Sequence, residues 1–240
     1  MLIKTEAICL QLIPYTGNSY IVKMLTPDLG LISTIVNSVH SSKSPIKLSH
    51  IQLMNVNEIV LYSQTKSEIK RIKELRPIIY DASGSFIIST VKTFMTELMA
   101  KSLKEGDYDS SVFNYLKSSL LLLYNTKESI ANVPLLFAIH LVGFLGFYPE
   151  IKDNSAESLY FNIKSGSFEP FMEENATNLD LTQSTLLRSI IDLPFEESLK
   201  VKILATDRQV LLDTWINYME IHLLNMGEIN SIKILRKVLN

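Results

Sequence analysis

Turn chemistry cuts the first 62 residues into four short runs, each too brief for a typical helix and rich in β-branched side chains. In EAICLQLI, alternation places Ile8, Leu10 and Leu12 on one face, and PYTGNS then supplies Pro14, Gly17 and Asn18 for a reversal. YIVKMLT sets Tyr20, Val22 and Met24 on one face, and Pro27, Asp28 and Gly30 of TPDLG suit a tight turn. LISTIVN is the third run, and IQLMNVNEIVLYS the fourth, with Met54, Val56, Val60 and Tyr62 alternating in step with Glu58. Four such runs predict a small closed β-barrel. The next segment, SEIKRIKELRP, leaves two readings open. Ile69, Ile72 and Leu75 are spaced by three as in a helix, while a five-stranded barrel needs a strand there.

Beyond residue 80 the spacing changes to that of helices. SGSFIISTVKTFMTELMAKSLKEGD carries Phe86, Val91, Phe94, Leu98 and Leu103, with Ser83 or Ser85 as a cap and Gly106 past the end. SSVFNYLKSSLLLLYN is a second helix, and VPLLFAIHLVGFLGF a third with Pro134 in its first turn. DRQVLLDTWINYMEIHLLN is a fourth, with Leu211, Trp215, Tyr218 and His222 along one stripe, and SIKILRKVLN a short last one. Between the third and fourth, two alternating runs flank Ser165 and Gly166 in SLYFNIKSGSFEP, a hairpin signal. The fold class is therefore α+β, with residues 1–80 forming the barrel domain and 81–240 a helical domain carrying a hairpin near 158–170.

The net charge of −2 conceals an asymmetry: residues 1–80 hold nine Lys/Arg against five Asp/Glu, net +4, and the remainder 14 against 20, net −6. A basic small module joined to an acidic larger one points to a polyanion meeting the first part, because neutralised phosphates release counterions. The single Cys9 excludes a disulfide framework and a cysteine zinc site, and fits a reducing cytosol. The longest apolar run, 133–147, contains Pro134, His140 and two glycines, and is too short and interrupted to span a bilayer. No signal-peptide pattern opens the chain, and no nucleophile elbow, phosphate-cradling glycine loop, HExxH or calcium loop occurs. A non-enzymatic protein that needs no cofactor is the expectation.

Residues 36–50, VNSVHSSKSPIKLSH, contain no acid, but carry His40, Lys43, Lys47 and His50 with four serines from Ser38 to Ser44. Such a loop suits contact with anions. Lys4, Lys23, Lys66, Lys70, Arg71, Lys73 and Arg76 fall in the same third of the chain. They are expected to line one continuous groove along a phosphate backbone, with Tyr15 or Tyr20 as stacking platforms. His140 and His222 lie in apolar helices, where a satisfied core histidine is the plainer reading than a metal ligand. Glu173–Glu174 and Glu196–Glu197 are adjacent rather than facing, as on a solvated surface.

TEAICLQLIPYTGNSYIVKMLTPDLGLISTIVNSV, residues 5–39, resembles the opening of the RecO family of bacterial recombination mediators. LVGFLGFYP at 141–149 is similar to that family's helix end, and YMEIHLLNMGEINSIKIL at 218–235 to its tail. The resemblance implies an N-terminal oligonucleotide-binding (OB) fold followed by an all-helical C-terminal domain with a small hairpin insertion. It also implies a DNA repair and recombination mediator that binds single- and double-stranded DNA and anneals strands coated by single-strand-binding protein. With RecR, it would assist RecA loading. On this basis Lys4, Lys23, His40, Lys43, Lys47, Lys66, Lys70 and Arg71 are candidate DNA contacts. His140, Phe137 and Phe144 are candidates for gripping the acidic C-terminal tail of single-strand-binding protein. A cytoplasmic, nucleoid-associated location follows.

Three departures from the family pattern stand out. Asn37 and Ser38 replace a Lys-Gly pair, with His40 near the usual arginine, although Lys43 and Lys47 match. The four cysteines of a zinc finger are missing, so Leu159, Phe161, Ile163 and Phe168 must hold the hairpin by packing. His140 stands where many members have arginine, which predicts a pH-dependent tail affinity. The rival reading is a protein-only adaptor that docks partners on the acidic helical domain.

Overall fold

The structure, a computed structural model, describes residues 1–41, 44–62, 68–106, 109–126, 129–151, 159–171 and 179–239. By compactness the chain divides into two units, Met1–Asn125 and Thr126–Asn240. The barrel strands end at Ile79, and the first two helices cluster with the barrel.

In the first unit, β1 (Leu2–Pro14), β2 (Tyr20–Thr26), β3 (Gly30–Val36), β4 (Val56–Tyr62) and β5 (Lys70–Ile79) close into a barrel of order β1-β2-β3-β5-β4. All neighbours are antiparallel except β3 and β5. This is the five-stranded Greek-key arrangement of the OB fold. Ala7, Cys9, Val22, Met24, Ile32, Val36, Ile59, Leu61 and Leu75 fill its interior. The expected face of Tyr20, Val22 and Met24 points inward, with Tyr20 partly buried at the end.

One expected face is different. The β1–β2 register passes from Cys9↔Met24 to Gln11↔Lys23, so Leu10 is an extra residue. Such a bulge reverses the alternation. Ala7, Cys9 and Leu12 therefore face the interior. Ile8 and Leu10 are buried outside that cluster, on the strand against which α1 (Phe86–Ser102) packs.

A second bulge decides the ambiguous segment, which is strand from Lys70 to Ile79. The β4–β5 register passes from Leu61↔Ile72 to Val60↔Glu74, leaving Lys73 unmatched. Ile72 and Leu75 therefore both reach the core although three residues apart, which is why their spacing imitates a helix.

Local chemistry closes the turns. Thr26 Oγ1 accepts from the Leu29 N–H at 3.0 Å and donates to the Gly30 carbonyl at 3.0 Å, with Gly30 at φ +65°. The polar stretch after β3 plugs one barrel end with Val39, Ile46 and Ile51, the last within a 3₁₀ turn at Leu48–Ile51. In α1, Ser85 is the N-cap and accepts from the Ile88 N–H. α2 (Ser110–Asn125) completes the unit.

The second unit is built around α3 (Val133–Leu145), apolar on all sides and with nine buried residues. Such a helix belongs in a core. Gly146 closes it at φ +85°. Then follow β6 (Glu150–Ile151), β7 (Tyr160–Asn162), β8 (Ser167–Glu169), α4 (Leu181–Ile191), α5 (Phe195–Ser198), α6 (Ala205–His222) and α7 (Ile232–Leu239). The expected hairpin is β7–β8, and β6 adds a third strand parallel to β8. The sequence reading omitted α4, although Asp180 and Gln183 form a capping box at its start.

Leu159, Phe161, Ile163 and Phe168 are all buried, and Phe161 stacks on Trp215 with ring centroids 5.7 Å apart. Tyr218 closes edge-on against Phe161 and donates to the Phe147 carbonyl. His222 Nε2 donates to the Ile163 carbonyl at 2.9 Å, a satisfied histidine of the packing. Apolar contact thus does here what cysteines and zinc would do, and the residues present do not fit a metal finger. Phe161→Ala should lower stability by about 3–5 kcal/mol in urea titration, the usual cost of emptying an aromatic core position. A chelator should leave the wild-type midpoint unchanged.

Candidate nucleic-acid interface

Register fixes what the outer barrel surface presents. Ile13 pairs with Ile21, Ile21 with Ile35, and Ile35 with Arg71, a row running from β1 through β2 and β3 to β5. The three isoleucines are half-buried and Arg71 is exposed. One residue away Tyr20 pairs with Val36, and its ring lies 6.1 Å from that of His40 at 59°. Tyr15, 52% exposed, opens the β1–β2 turn at the same end. The Val39 N–H donates to the Asn18 carbonyl at 3.1 Å, tying the polar stretch to that turn. Lys70 stands opposite Thr34, and among the described residues no carboxylate pairs with Lys70 or Arg71. Sequence reading missed the isoleucine row, which only strand pairing reveals.

The remaining cations are distributed elsewhere. Lys4 lies on the β1–β4 seam, where Glu58 holds it at 2.9 Å and Arg76 at 3.3 Å. The Lys4 ammonium foremost, then Arg76, keeps the Glu58 carboxyl below the usual carboxylate range. Lys23 lies on the outer β2–β3 face, 3.3 Å from Glu105. Lys47 Nζ donates to the Ser41 carbonyl at 2.9 Å within its own loop. Lys43 and Lys66 lie outside the described residues. The expectation of one continuous basic track is therefore corrected. Carboxylates stand between the cations, and His40, Lys70 and Arg71 gather at the end that carries Tyr15 and Tyr20.

Among the candidate partner residues of the second unit, Phe137 needs correction and Phe144 does not. Phe137 is 0% exposed and offers a partner no surface, whereas Phe144 is 38% exposed. His140 lies edge-on to Phe195, centroids 5.6 Å apart, with Ser198 Oγ 3.5 Å from its Nε2. Burial pulls its pKa down to about 4, so the ring is neutral from pH 6 to pH 8 and cannot confer the expected pH dependence.

A barrel of OB order with an exposed cationic and aromatic end, followed by a helical unit, defines an OB-fold protein with an appended helical module. Residues 1–80 match the family model for the N-terminal part of recombination protein O, and residues 85–227 that for its C-terminal part. The chain belongs to the RecO family. It is 33% identical to the DNA repair protein RecO of Flavobacterium psychrophilum, 28% to that of Azobacteroides pseudotrichonymphae and 29% to that of Flavobacterium johnsoniae. Each comparison covers 99% of both chains.

His140→Gln should leave the pH dependence of any acidic-peptide binding between pH 6 and pH 8 unchanged, measured by fluorescence anisotropy. His140 instead contributes to acid sensitivity. The unfolded chain takes up its proton near pH 6.5 and the folded chain only near pH 4. Stability should therefore fall as pH drops through that window, and less steeply in His140→Gln, by urea titration at several pH values.

Proposed function

We propose that this chain is a DNA repair and recombination mediator that binds single- and double-stranded DNA without making or breaking bonds. It anneals strands coated by single-strand-binding protein and, with RecR as partner, assists RecA loading. It works in the bacterial cytoplasm, at the nucleoid. The observation that carries this reading is the barrel end where Lys70 and Arg71, free of carboxylate partners among the described residues, adjoin the isoleucine row and the Tyr20–His40 pair. Cations there neutralise phosphates, and apolar and aromatic faces receive unstacked bases without sequence preference. Family membership over most of the chain supports the same reading.

For the acidic tail of single-strand-binding protein, Phe137 and His140 offer no cation and little surface. The slot lined by Pro134, Leu135, Leu212 and Leu235, with Arg208 and Arg236 in its walls, is the better candidate. It combines apolar walls with guanidinium groups, Arg208 donating to the Leu239 carbonyl and Arg236 paired with Asp213, so an acidic chain end with an apolar terminal residue would compete with those internal acceptors.

The adaptor reading draws on Glu58 and Glu105, which occupy two of the barrel cations. A gel-shift titration with a short single-stranded oligonucleotide separates the two. Wild-type affinity should fall with salt in proportion to the phosphates neutralised. Lys70→Gln with Arg71→Gln should weaken binding roughly tenfold and flatten the salt slope, and Lys4→Gln should change it less than about threefold. Absence of binding, or binding indifferent to salt, favours the adaptor.

A further inference from the structure

The outer β2–β3 face holds a contact that the mediator reading does not use. Lys23 and Ser33 are directly opposed in register. Their strand neighbours Val22, Met24, Ile32 and Thr34 are buried, so both point outward. Ser33 Oγ donates to Glu105 Oε1 at 2.6 Å, and Lys23 Nζ lies 3.3 Å from the same oxygen. One ammonium and one hydroxyl converging on one anionic oxygen form the donor set that a phosphodiester oxygen requires. The Ser33 hydroxyl, then Lys23, holds the Glu105 carboxyl below the usual range.

Glu105 arrives from the connection between α1 and α2, and the Gly106 N–H donates to the Leu31 carbonyl at 3.3 Å beside it. Its side chain is 49% exposed and contributes nothing to the core. A cleft of about 60 Å³, lined by Leu10, Gln11, Leu31 and Leu103 with Lys23 and Glu105, leaves open space next to the carboxylate. Lys23 and Ser33 stand two residues along their strands from Ile21 and Ile35. That is about 7 Å on the same outward face.

We propose that Lys23 and Ser33 form a phosphate subsite for a nucleic-acid strand, and that Glu105 occupies it as an internal substitute for that phosphate. The proposal rests on the reading that this barrel face meets nucleic acid. A strand bound at Arg71 and the isoleucine row extends over the β2–β3 face only by displacing Glu105. The carboxylate thereby limits the contact of the resting protein to the barrel end, and selects against anions too weakly held to displace it.

The test uses the full chain and a single-stranded thymidine oligomer, with affinity read by fluorescence anisotropy over a range of salt. Glu105→Gln keeps an acceptor for Ser33 and removes the charge. It should raise affinity about threefold or more and steepen the salt slope by about 0.7, the increment for one more phosphate on a single strand. Lys23→Met should alter wild-type affinity less than about twofold, yet abolish the gain in the Glu105→Gln background, a coupling that additive effects would not produce. Unchanged or weaker binding by Glu105→Gln, or additive effects, overturns the proposal. A purely structural tether predicts that result together with a lower melting temperature. Should Glu105→Gln fail to fold, Glu105→Asp, whose shorter side chain draws the carboxylate back from Lys23, carries the same test. A wild type that binds no oligomer defeats the mediator reading itself, whereas a silent Glu105→Gln beside a binding wild type defeats only this one.

Discussion

Barrel closure depends on single-residue insertions in the strand ladders, at Leu10, Lys73 and Ile78, of which the first two decide what the barrel shows its surroundings. Leu10 in β1 and Lys73 in β5 each oppose no partner residue, and each reverses the in–out alternation of its strand. Bulges bend and twist a strand, which a five-stranded sheet needs in order to close upon itself. Each also gives its strand a second role. Below its bulge β1 turns Ala7 and Cys9 inward and leaves Ile8 and Leu10 for the outer surface near α1. Beyond its bulge β5 keeps Leu75 in the core while Arg71, at the strand's start, faces outward beside Ile35. The cationic end of the barrel and its attachment to the helices thus share one cause.

Much of this was legible in the chain. The turn residues from Pro14 to Gly30 placed the first three strands, and a cap at Ser83 or Ser85, Pro134 and the Trp215 stripe placed three helices. The failures have specific physical causes. Strict period-two reading put Ile8, Leu10 and Leu12 together because a bulge leaves no mark in composition. The spacing of Ile72 and Leu75 resembled a helix for the same reason. Charge counting showed that the first third is basic, but could not show that Glu58 would claim Lys4, or that Glu105, 82 residues further along, would claim Lys23. Phe137 looked available because a helix that is apolar on every side gives no clue to which side a neighbour covers. The isoleucine row exists only through pairings between strands distant in sequence.

The two units solve their packing problems differently. The barrel holds its interior with aliphatic side chains and decorates its exterior with ion pairs, which contribute little to stability when exposed. In the second unit Phe161 of β7 meets Phe168 of β8, and packs against Trp215 and Tyr218 of α6, in a three-stranded sheet of very short strands. Strands of two or three residues cannot persist by their own hydrogen bonds, so the aromatic cluster is what keeps them in place. The sheet is an accessory of that cluster, and changes in the cluster would reach it directly.

Cys9 lies fully inside the barrel, with the Asn57 side-chain amide donating to its Sγ at 3.3 Å, and burial pushes its thiol pKa up to about 12. A thiol so shielded is unreactive toward alkylating and maleimide reagents while the fold is intact. Any cysteine introduced on the surface would therefore be the sole attachment point for a dye or spin label. The native chain already has the chemical silence that other proteins acquire only after their own cysteines are removed.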